Sequence, residues 1–223
     1  MKGEKEAKLR LEKLRQTINH HRYNYHVLDR EEISSEALDS LKHELSLLEA
    51  EFPHLITPDS PSQRVEGKPL DKFKKVTHTI SQWSFNDVFS EEELRAFDER
   101  TRKTLTKNLG KSPDLEYVVE LKIDGFKIVL TYKKGILVTA ATRGDGEVGE
   151  DVTQNVKTIE AIPLKLNRAI DIVVEGEVWM SKKNFAELNK TQKKKGEELY
   201  ANPRNVAAGS IKQLDPKISA SRK

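Results

Sequence analysis

Lys122 and Asp124, in the run VVELKIDGFKIVL, are charged residues inside a stretch that otherwise favours burial. A lysine amine becomes a nucleophile only after losing its proton, and its ordinary pKa is about 10.4. Partial burial and nearby cations favour the neutral amine, while a neighbouring carboxylate can orient it. On an extended strand Glu120, Lys122 and Asp124 fall on one face, so three polar groups are expected to point at one place. Gly125 removes a side chain where a flat ligand could approach the backbone. A plainer reading competes, a half-exposed strand whose polar face meets water, and for a bare lysine-x-aspartate-glycine it is the default.

Other stretches carry chemistry of their own. TRGDGEVGED, residues 142–151, frames three glycines with Arg143 and several carboxylates. A tight loop of this kind exposes backbone amides that could hold phosphate beside Arg143. Its acids argue against a simple anion nest; Mg2+, bound mostly by carboxylate, water and phosphate oxygen, would reconcile them, and an ordinary charged hairpin loop is the alternative. VEGEVW puts Glu175 and Glu177 on one strand face, and ANPRNVAAGSIKQLD supplies Arg204, Asn205, Lys212 and Gln213 among small residues that permit close helix packing. In HHRYNYH, His20, His21 and His26 lack the i, i+4 spacing of helical ligand pairs, so packing and solvent exposure are expected there rather than zinc.

These residues need elements to position them. Helix formers over 5–28, with Leu14, Ile18 and Tyr25 at helical spacing, predict a first helix. Ser34 is a good N-cap, with Ile33 and Leu38 placed as a hydrophobic staple, and Leu38, Leu41, Leu45 and Leu48 give a second helix its stripe before Pro53. The two make an antiparallel hairpin. LITPDSPSQRVEGKPL, with Pro58, Pro61 and Pro69, has neither helical nor strand period and reads as an ordered linker. Ser90 and Glu93 form a capping box opening a charged helix to about 107. LEYVVELK, GFKIVLTYKKG, ILVTAATRG and DIVVEGEVWM read as strands, and Ser181 opens a further helix. The pattern is α+β: a helical hairpin followed by a mixed domain.

The chain has 223 residues with 39 Lys plus Arg against 36 Asp plus Glu, a balance of +3. That is mildly basic, so any nucleic-acid affinity must come from local clustering. The absence of cysteine excludes disulfides, thiolate catalysis and cysteine zinc sites within this chain. No apolar stretch approaches the roughly 20 residues of a membrane span, and MKGEKEAKLR has no apolar signal core, so a soluble cytoplasmic protein is expected.

Taken together and in order, ELKIDG, ATRGDGEVGEDVTQNVKTI, EGEVW and ANPRNVAAGSIKQLDPKI resemble the bacterial NAD-dependent DNA ligases. The likeness covers essentially the whole chain, including the N-terminal Tyr-His, ITPDSPSQRV and WSFNDVFS. It implies a helical nicotinamide-binding domain with its linker over 1–70, then a nucleotidyltransferase domain of the ligase and capping-enzyme type over 71–223. By this resemblance Lys122 attacks the α-phosphorus of NAD, releasing nicotinamide mononucleotide and leaving lysyl-AMP, with Asp124 in the same motif. Glu120, Arg143 and Glu177 would contact the adenylate, with Arg204 near its phosphate, and Ser84 and Phe85 stand where the family has a nucleotide-side Ser-Leu. Tyr25, His26 and Asp39 would hold the nicotinamide half.

The departures matter. Ser35 and Leu38 stand where the family has a further aspartate and tyrosine, Lys127 replaces a small residue beside the motif, and Lys212 replaces an arginine. The likeness stops at ISASRK, before the family's later nucleotidyltransferase motifs, OB-fold, zinc finger, helix-hairpin-helix region and BRCT domain, so the chain is expected to be part of a larger ligase. The expected cofactors are NAD and Mg2+ and no protein-held metal is expected; the expected partner is nicked double-stranded DNA, with no membrane and a monomeric state. Two alternatives stay open: a nucleotidyltransferase that has shifted its donor to ATP, and a non-catalytic DNA-binding remnant.

Overall fold

Apolar residues three and four apart build the first helix, α1 (Lys2–His26), in the computed structural model, which describes residues 2–28, 30–65, 70–84 and 86–222. Phe85 and Pro69 lie outside the described residues, as does the Ser35 side chain. Leu11, Leu14 and Ile18 of α1 are buried against Leu45 of α2 (Ser35–Glu51), with Leu38, Leu41 and Leu48 packed around them. Ser34 caps α2, its hydroxyl accepting from the Ala37 amide at 3.3 Å. Tyr25 departs from the expected stripe. Half of it is exposed, because the apolar seam ends at Ile18 and the buried position one helical turn on is taken by Arg22.

Residues 55–65 of the proline-rich stretch are ordered, as expected. Two short 3-10 turns, Pro53–Leu55 and Pro61–Arg64, fold it onto the hairpin. Ser60 is fully buried and donates to Glu49 Oε1 at 2.6 Å, and Arg15 donates to the same carboxylate at 2.7 Å and to the Leu55 carbonyl at 2.8 Å. Ser60, Arg15 and Glu49 Oε1 thus satisfy one another across the turn, which makes it a fixed joint.

The chain forms two compact units, one of 1–80 with 124–223 and the other of 81–123. In the first, strand β1 (Lys75–Thr77) follows the joint. In the second, α3 (Glu91–Leu109) carries the expected capping box: Ser90 accepts from the Glu93 amide, and Glu93 returns to the Phe89 amide at 2.7 Å. Gly110 ends α3, and Tyr117 donates to Asp98 at 2.7 Å, folding the following segment back on the helix.

The first unit resumes with β2 (Phe126–Lys133), β3 (Ile136–Thr142) and β4 (Val148–Glu150), helix α4 (Thr153–Lys157), strand β5 (Ile172–Val178), and helices α5 (Lys182–Lys195), α6 (Pro203–Ile211) and α7 (Pro216–Ala220). β1 pairs with β4, and a second antiparallel sheet runs β3-β2-β5. Alternation along β2 sends Ile128, Leu130 and Tyr132 into a core with Leu137, Ala140, Val152, Val156, Leu164 and Ile211. The opposite face carries Lys127 and, across the register, Glu177 and Glu175. No helix among the described residues is long and apolar enough to cross a membrane.

The strand expected over 115–122 is absent: no ladder forms over residues 111–125, and Glu120, Lys122 and Asp124 share no strand face. Val118, Val119 and Leu121 are 92, 93 and 86 % exposed. The cause is the nature of the element. A strand closes its backbone hydrogen bonds only on a neighbour, so apolar patterning without a paired edge leaves an open segment.

Candidate functional site

Two end residues of the hairpin face a cleft. Tyr25 and His26, at the C-terminal end of α1, line a cavity of about 820 Å3 together with Asp39 from the first turns of α2. Their rings meet edge to face at 4.8 Å. Glu160, after α4, and Trp179, after β5, line the same cavity. Two aromatic rings, an imidazole and carboxylates form a lining that suits a planar, positively charged ring with polar substituents. The Asp39 carboxylate also receives Lys42 at 3.1 Å.

The side of the cleft opposite the hairpin is fixed by two arginines that the sequence reading missed. Arg64 is buried and donates to the carbonyls of Lys157, Ile159 and Ile162 at 2.9–3.0 Å, which satisfies the end of α4 and the turn after it. Burial pulls its guanidinium down to about 10. Arg22, also buried, forms an ion pair with Glu160; burial, with the Arg64 charge adding to it, pulls it down to about 9. Both remain protonated at neutral pH. His26 stands 4.0 Å from the same Glu160 oxygen. One signal was legible: Arg22 continues the Leu14–Ile18 stripe at i+4, a place where an apolar residue belongs.

The motif residues fall into two groups. Asp124 and Arg204 come together, Nη1 to Oδ1 at 3.5 Å, with both side chains mostly exposed. Gly125 lies against β5: a Cβ there would stand 2.6 Å from the Val178 carbonyl oxygen and 3.2 Å from Glu177 Cβ. The space expected to admit a flat ligand is therefore filled by backbone, and the glycine's role is to seat the start of β2 beside the strand that bears Glu177. Lys127 pairs with Glu175 at 2.7 Å on that face. Glu120, Lys122 and Ser84 belong to the 81–123 unit and are exposed, so the partial burial expected for Lys122 is not found.

In the TRGDGEVGED loop several of the amides are already occupied. Asp145 Oδ1 accepts from the Glu147 and Val148 amides at 2.9 and 2.8 Å, and these bonds hold its carboxyl below the usual range. Gly144 has φ +60°, and a Cβ there would stand 1.8 Å from the Val148 carbonyl oxygen, so the turn is too tight for any other residue. The loop is a self-satisfied hairpin turn, not an open phosphate nest. Glu150 receives Lys212 at 2.8 Å and Lys75 at 3.5 Å, and Asp151 receives the Thr153 amide at 3.0 Å. Asn155, in the same motif, is fully buried and donates to the Gln213 carbonyl and the Ser219 hydroxyl, joining α4 to α7. Arg143 accepts His78 at its carbonyl, 3.1 Å away.

His20 and His21 both approach Glu32, at 2.9 and 3.3 Å, and among the described residues this is the one trio with ligand atoms within 4.8 Å. His26 is not part of it. Among the described residues no three carboxylates come together with their oxygens within 4.8 Å.

Comparisons with known proteins agree with this layout. A family model described as the NAD-dependent DNA ligase adenylation domain matches residues 70–223, and one described as the DNA ligase-like, N-terminal NAD+-binding domain matches 4–66. The chain is 53% identical over 215 residues to a DNA ligase of Acetivibrio thermocellus, covering 96% of this chain and 32% of that protein. It is 52% identical over 217 residues to a DNA ligase of a Thermoanaerobacter species, covering 97% of this chain and 32% of that one. A DNA ligase of Carboxydothermus hydrogenoformans is 50% identical over 221 residues, 98% of this chain and 32% of its own length. The chain spans about a third of the length of these curated relatives.

Proposed function

The chain belongs to the NAD-dependent DNA ligases, and on that premise we propose that it is the region that takes up NAD and accepts its adenylate on Lys122. Bound NAD supplies an activated α-phosphorus with nicotinamide mononucleotide as leaving group. The Lys122 Nζ loses a proton and forms a P–N bond as the P–O bond to the leaving group breaks, which leaves lysyl-AMP for later transfer to the 5′-phosphate of nicked duplex DNA. Tyr25, His26 and Asp39 would hold the nicotinamide half. Glu120, Arg143 and Glu177 would contact the adenylate, Arg204 its phosphate, and Asp124 would orient Arg204 and the motif backbone. Residues 1–70 would then serve as the nicotinamide domain and 71–223 as the nucleotidyltransferase part, in a cytoplasmic, monomeric enzyme. Ser84 and Phe85 would lie on the nucleotide side.

The observation that carries the reading is the cleft, into which the hairpin contributes Tyr25, His26 and Asp39 together. A donor without a nicotinamide half, such as ATP, has no use for that trio. Mg2+ would neutralise the diphosphate charge that builds as the leaving group departs. The ion would be held by the nucleotide's own phosphates, with one or two carboxylates at most.

The test is intact mass after incubation with NAD or with ATP, each with Mg2+. An AMP adduct that forms with NAD, not with ATP, and disappears in Lys122→Ala but not in Lys127→Ala is the expected result. An adduct that survives Lys122→Ala overturns the assignment, and one that forms with ATP alone favours the shifted donor. His26→Ala should slow adduct formation from NAD without lowering the melting temperature.

A further inference from the structure

A near-neutral balance of charge hides one strongly uneven element. Helix α5, KKNFAELNKTQKKK, holds six lysines and a single acid, Glu187. At 100° per residue, Lys182, Lys183, Lys190, Lys193 and Lys194 fall within an arc of about 120°, and the axial distance from Lys182 to Lys194 is about 18 Å. All five are exposed, Lys183 also lining the cleft of Tyr25 and His26, whereas Phe185, Leu188, Asn189 and Gln192 on the other side are half-buried. The helix cannot roll to hide the stripe. Asn189 exchanges two hydrogen bonds with the Tyr200 backbone, at 2.9 and 3.1 Å, and Gln192 donates to the Glu198 carbonyl, which fixes the inward face.

Folding does not explain the charges. Lysines in the last turn, Lys193 to Lys195, complement the helix dipole, but Lys182 and Lys183 occupy the first turn, where a cation opposes it and no acid shares the turn. Helix α3, also rich in charged residues but with acids and bases in balance, shows the ordinary arrangement: Glu91, Glu92 and Glu93 in the first turn, and Arg102 on Asp98 at 2.9 Å four residues back. Among the described residues, no lysine of α5 makes a salt bridge. A local rule broken without a local gain points to a partner outside the fold.

We propose that the outward lysine stripe of α5 is a contact surface for the phosphodiester backbone of duplex nucleic acid. Five cations along about 18 Å match the axial rise of roughly five base pairs. Lysine suits this task because phosphate contacts position a duplex without reading its sequence. The inference deepens the ligase reading, and rests on it for the choice of a nicked duplex as the partner.

The experiment follows fluorescence anisotropy of a labelled nicked duplex binding to the full chain over a series of monovalent salt. Lys182→Gln, Lys190→Gln and Lys193→Gln are combined in one variant; the corresponding Arg triple and a Lys8→Gln/Lys13→Gln variant on α1 serve as controls. Each neutralised phosphate contributes about 0.9 to the slope of log affinity against log salt, so the Gln triple should lower that slope by roughly 2 to 3. The Arg triple and the α1 variant should keep it, and all variants should keep the melting temperature. An unchanged slope in the Gln triple overturns the proposal. So does a triple that loses binding to a polyglutamate tracer while duplex binding stays intact, which would make the stripe a protein-docking face. AMP loading of Lys122 is read separately in the same variants: its absence would count against the catalytic reading alone.

Discussion

In the helical hairpin Leu11, Leu14, Ile18 and Leu45 are buried to within about a percent, whereas Val118, Val119 and Leu121, in a run at least as apolar, stand in solvent. The two regions differ in how an element satisfies its own backbone. A helix closes its hydrogen bonds within itself, so a stripe at i, i+3 and i+4 needs only one opposing stripe to be stable. A strand closes them on a neighbour, and residues 111–124 have none. Packing has gone to the hairpin and the sheet; the lysine motif sits where packing is poorest. If the lysine motif carries the chemistry, as proposed, then chemistry and stability lie on different residues, and that separation can be tested.

The hairpin should be most vulnerable where its seam meets Glu160. Arg22 is buried while Glu160 is more than a third exposed, so removal of the two partners is not equivalent. Glu160→Ala leaves a buried guanidinium with an uncompensated charge, and the expected loss is about 3–5 kcal/mol in urea unfolding. Arg22→Leu instead restores an apolar residue to the Leu14–Ile18 stripe and leaves a carboxylate that water can reach. Its loss should be well under half as large. Equal losses would mean that the pair acts through geometry rather than charge. Ile18→Ala comes next, at about 2–4 kcal/mol, because its fully buried side chain leaves a cavity between two helices.

Much of this was readable beforehand. The hairpin, its Ser34 cap, the Ser90–Glu93 box, the Ser181 helix and strands β2, β3 and β5 all follow from local rules, caps and periods that need no knowledge of distant residues. The grouping of Tyr25, His26 and Asp39 at one cleft was legible only through resemblance, since Tyr25 has the right spacing for a core residue. Arg64, Asn155 and the two uses of Glu150 were not legible. Each acts on backbone or side chains that the fold brings from far along the chain: 93 to 98 residues away for Arg64 and 58 to 64 for Asn155. The amides of the 142–151 loop gave the opposite error. Glycines exposed them in the sequence, but Asp145 occupies them in the fold.

A smaller effect distinguishes the two small β contacts of the first unit from its core. Glu150 holds Lys212 and, across the β1–β4 pair, Lys75, and the hydrogen bond from Lys212 is the main reason its carboxyl lies below the ordinary value of 4.5. The folded chain therefore holds fewer protons at this site than the unfolded chain. Its contribution is fully present above the unfolded value and is lost as pH falls through the folded one. Glu150→Gln should cost most at neutral pH and little once the pH lies below the folded value, which flattens the acid limb of a stability profile followed by chemical denaturation. A profile parallel to that of the parent chain would show that Glu150 adds nothing to acid sensitivity.

The smallest expected effect lies in the motif segment itself. Leu121 is 86 % exposed, next to the proposed nucleophile, and no hydrogen-bonded ladder holds its backbone. An exposed leucine contributes almost no transfer free energy, so Leu121→Ala should change stability by no more than about 0.5 kcal/mol. Ile18→Ala, removing a side chain of the same size from the hairpin seam, is expected to cost several times more, and the ratio of the two measures how far packing and chemistry have been separated. The same Leu121 variant also reports on catalysis. If segment 115–124 works as an open stretch, AMP loading should survive the substitution with little change in rate. If loading needs the segment to pair as a strand and bury Leu121, loading should fall while the unfolding midpoint in the absence of NAD stays put. A loss of 2 kcal/mol or more in the unliganded chain would place Leu121 in a packed environment and contradict the open segment outright.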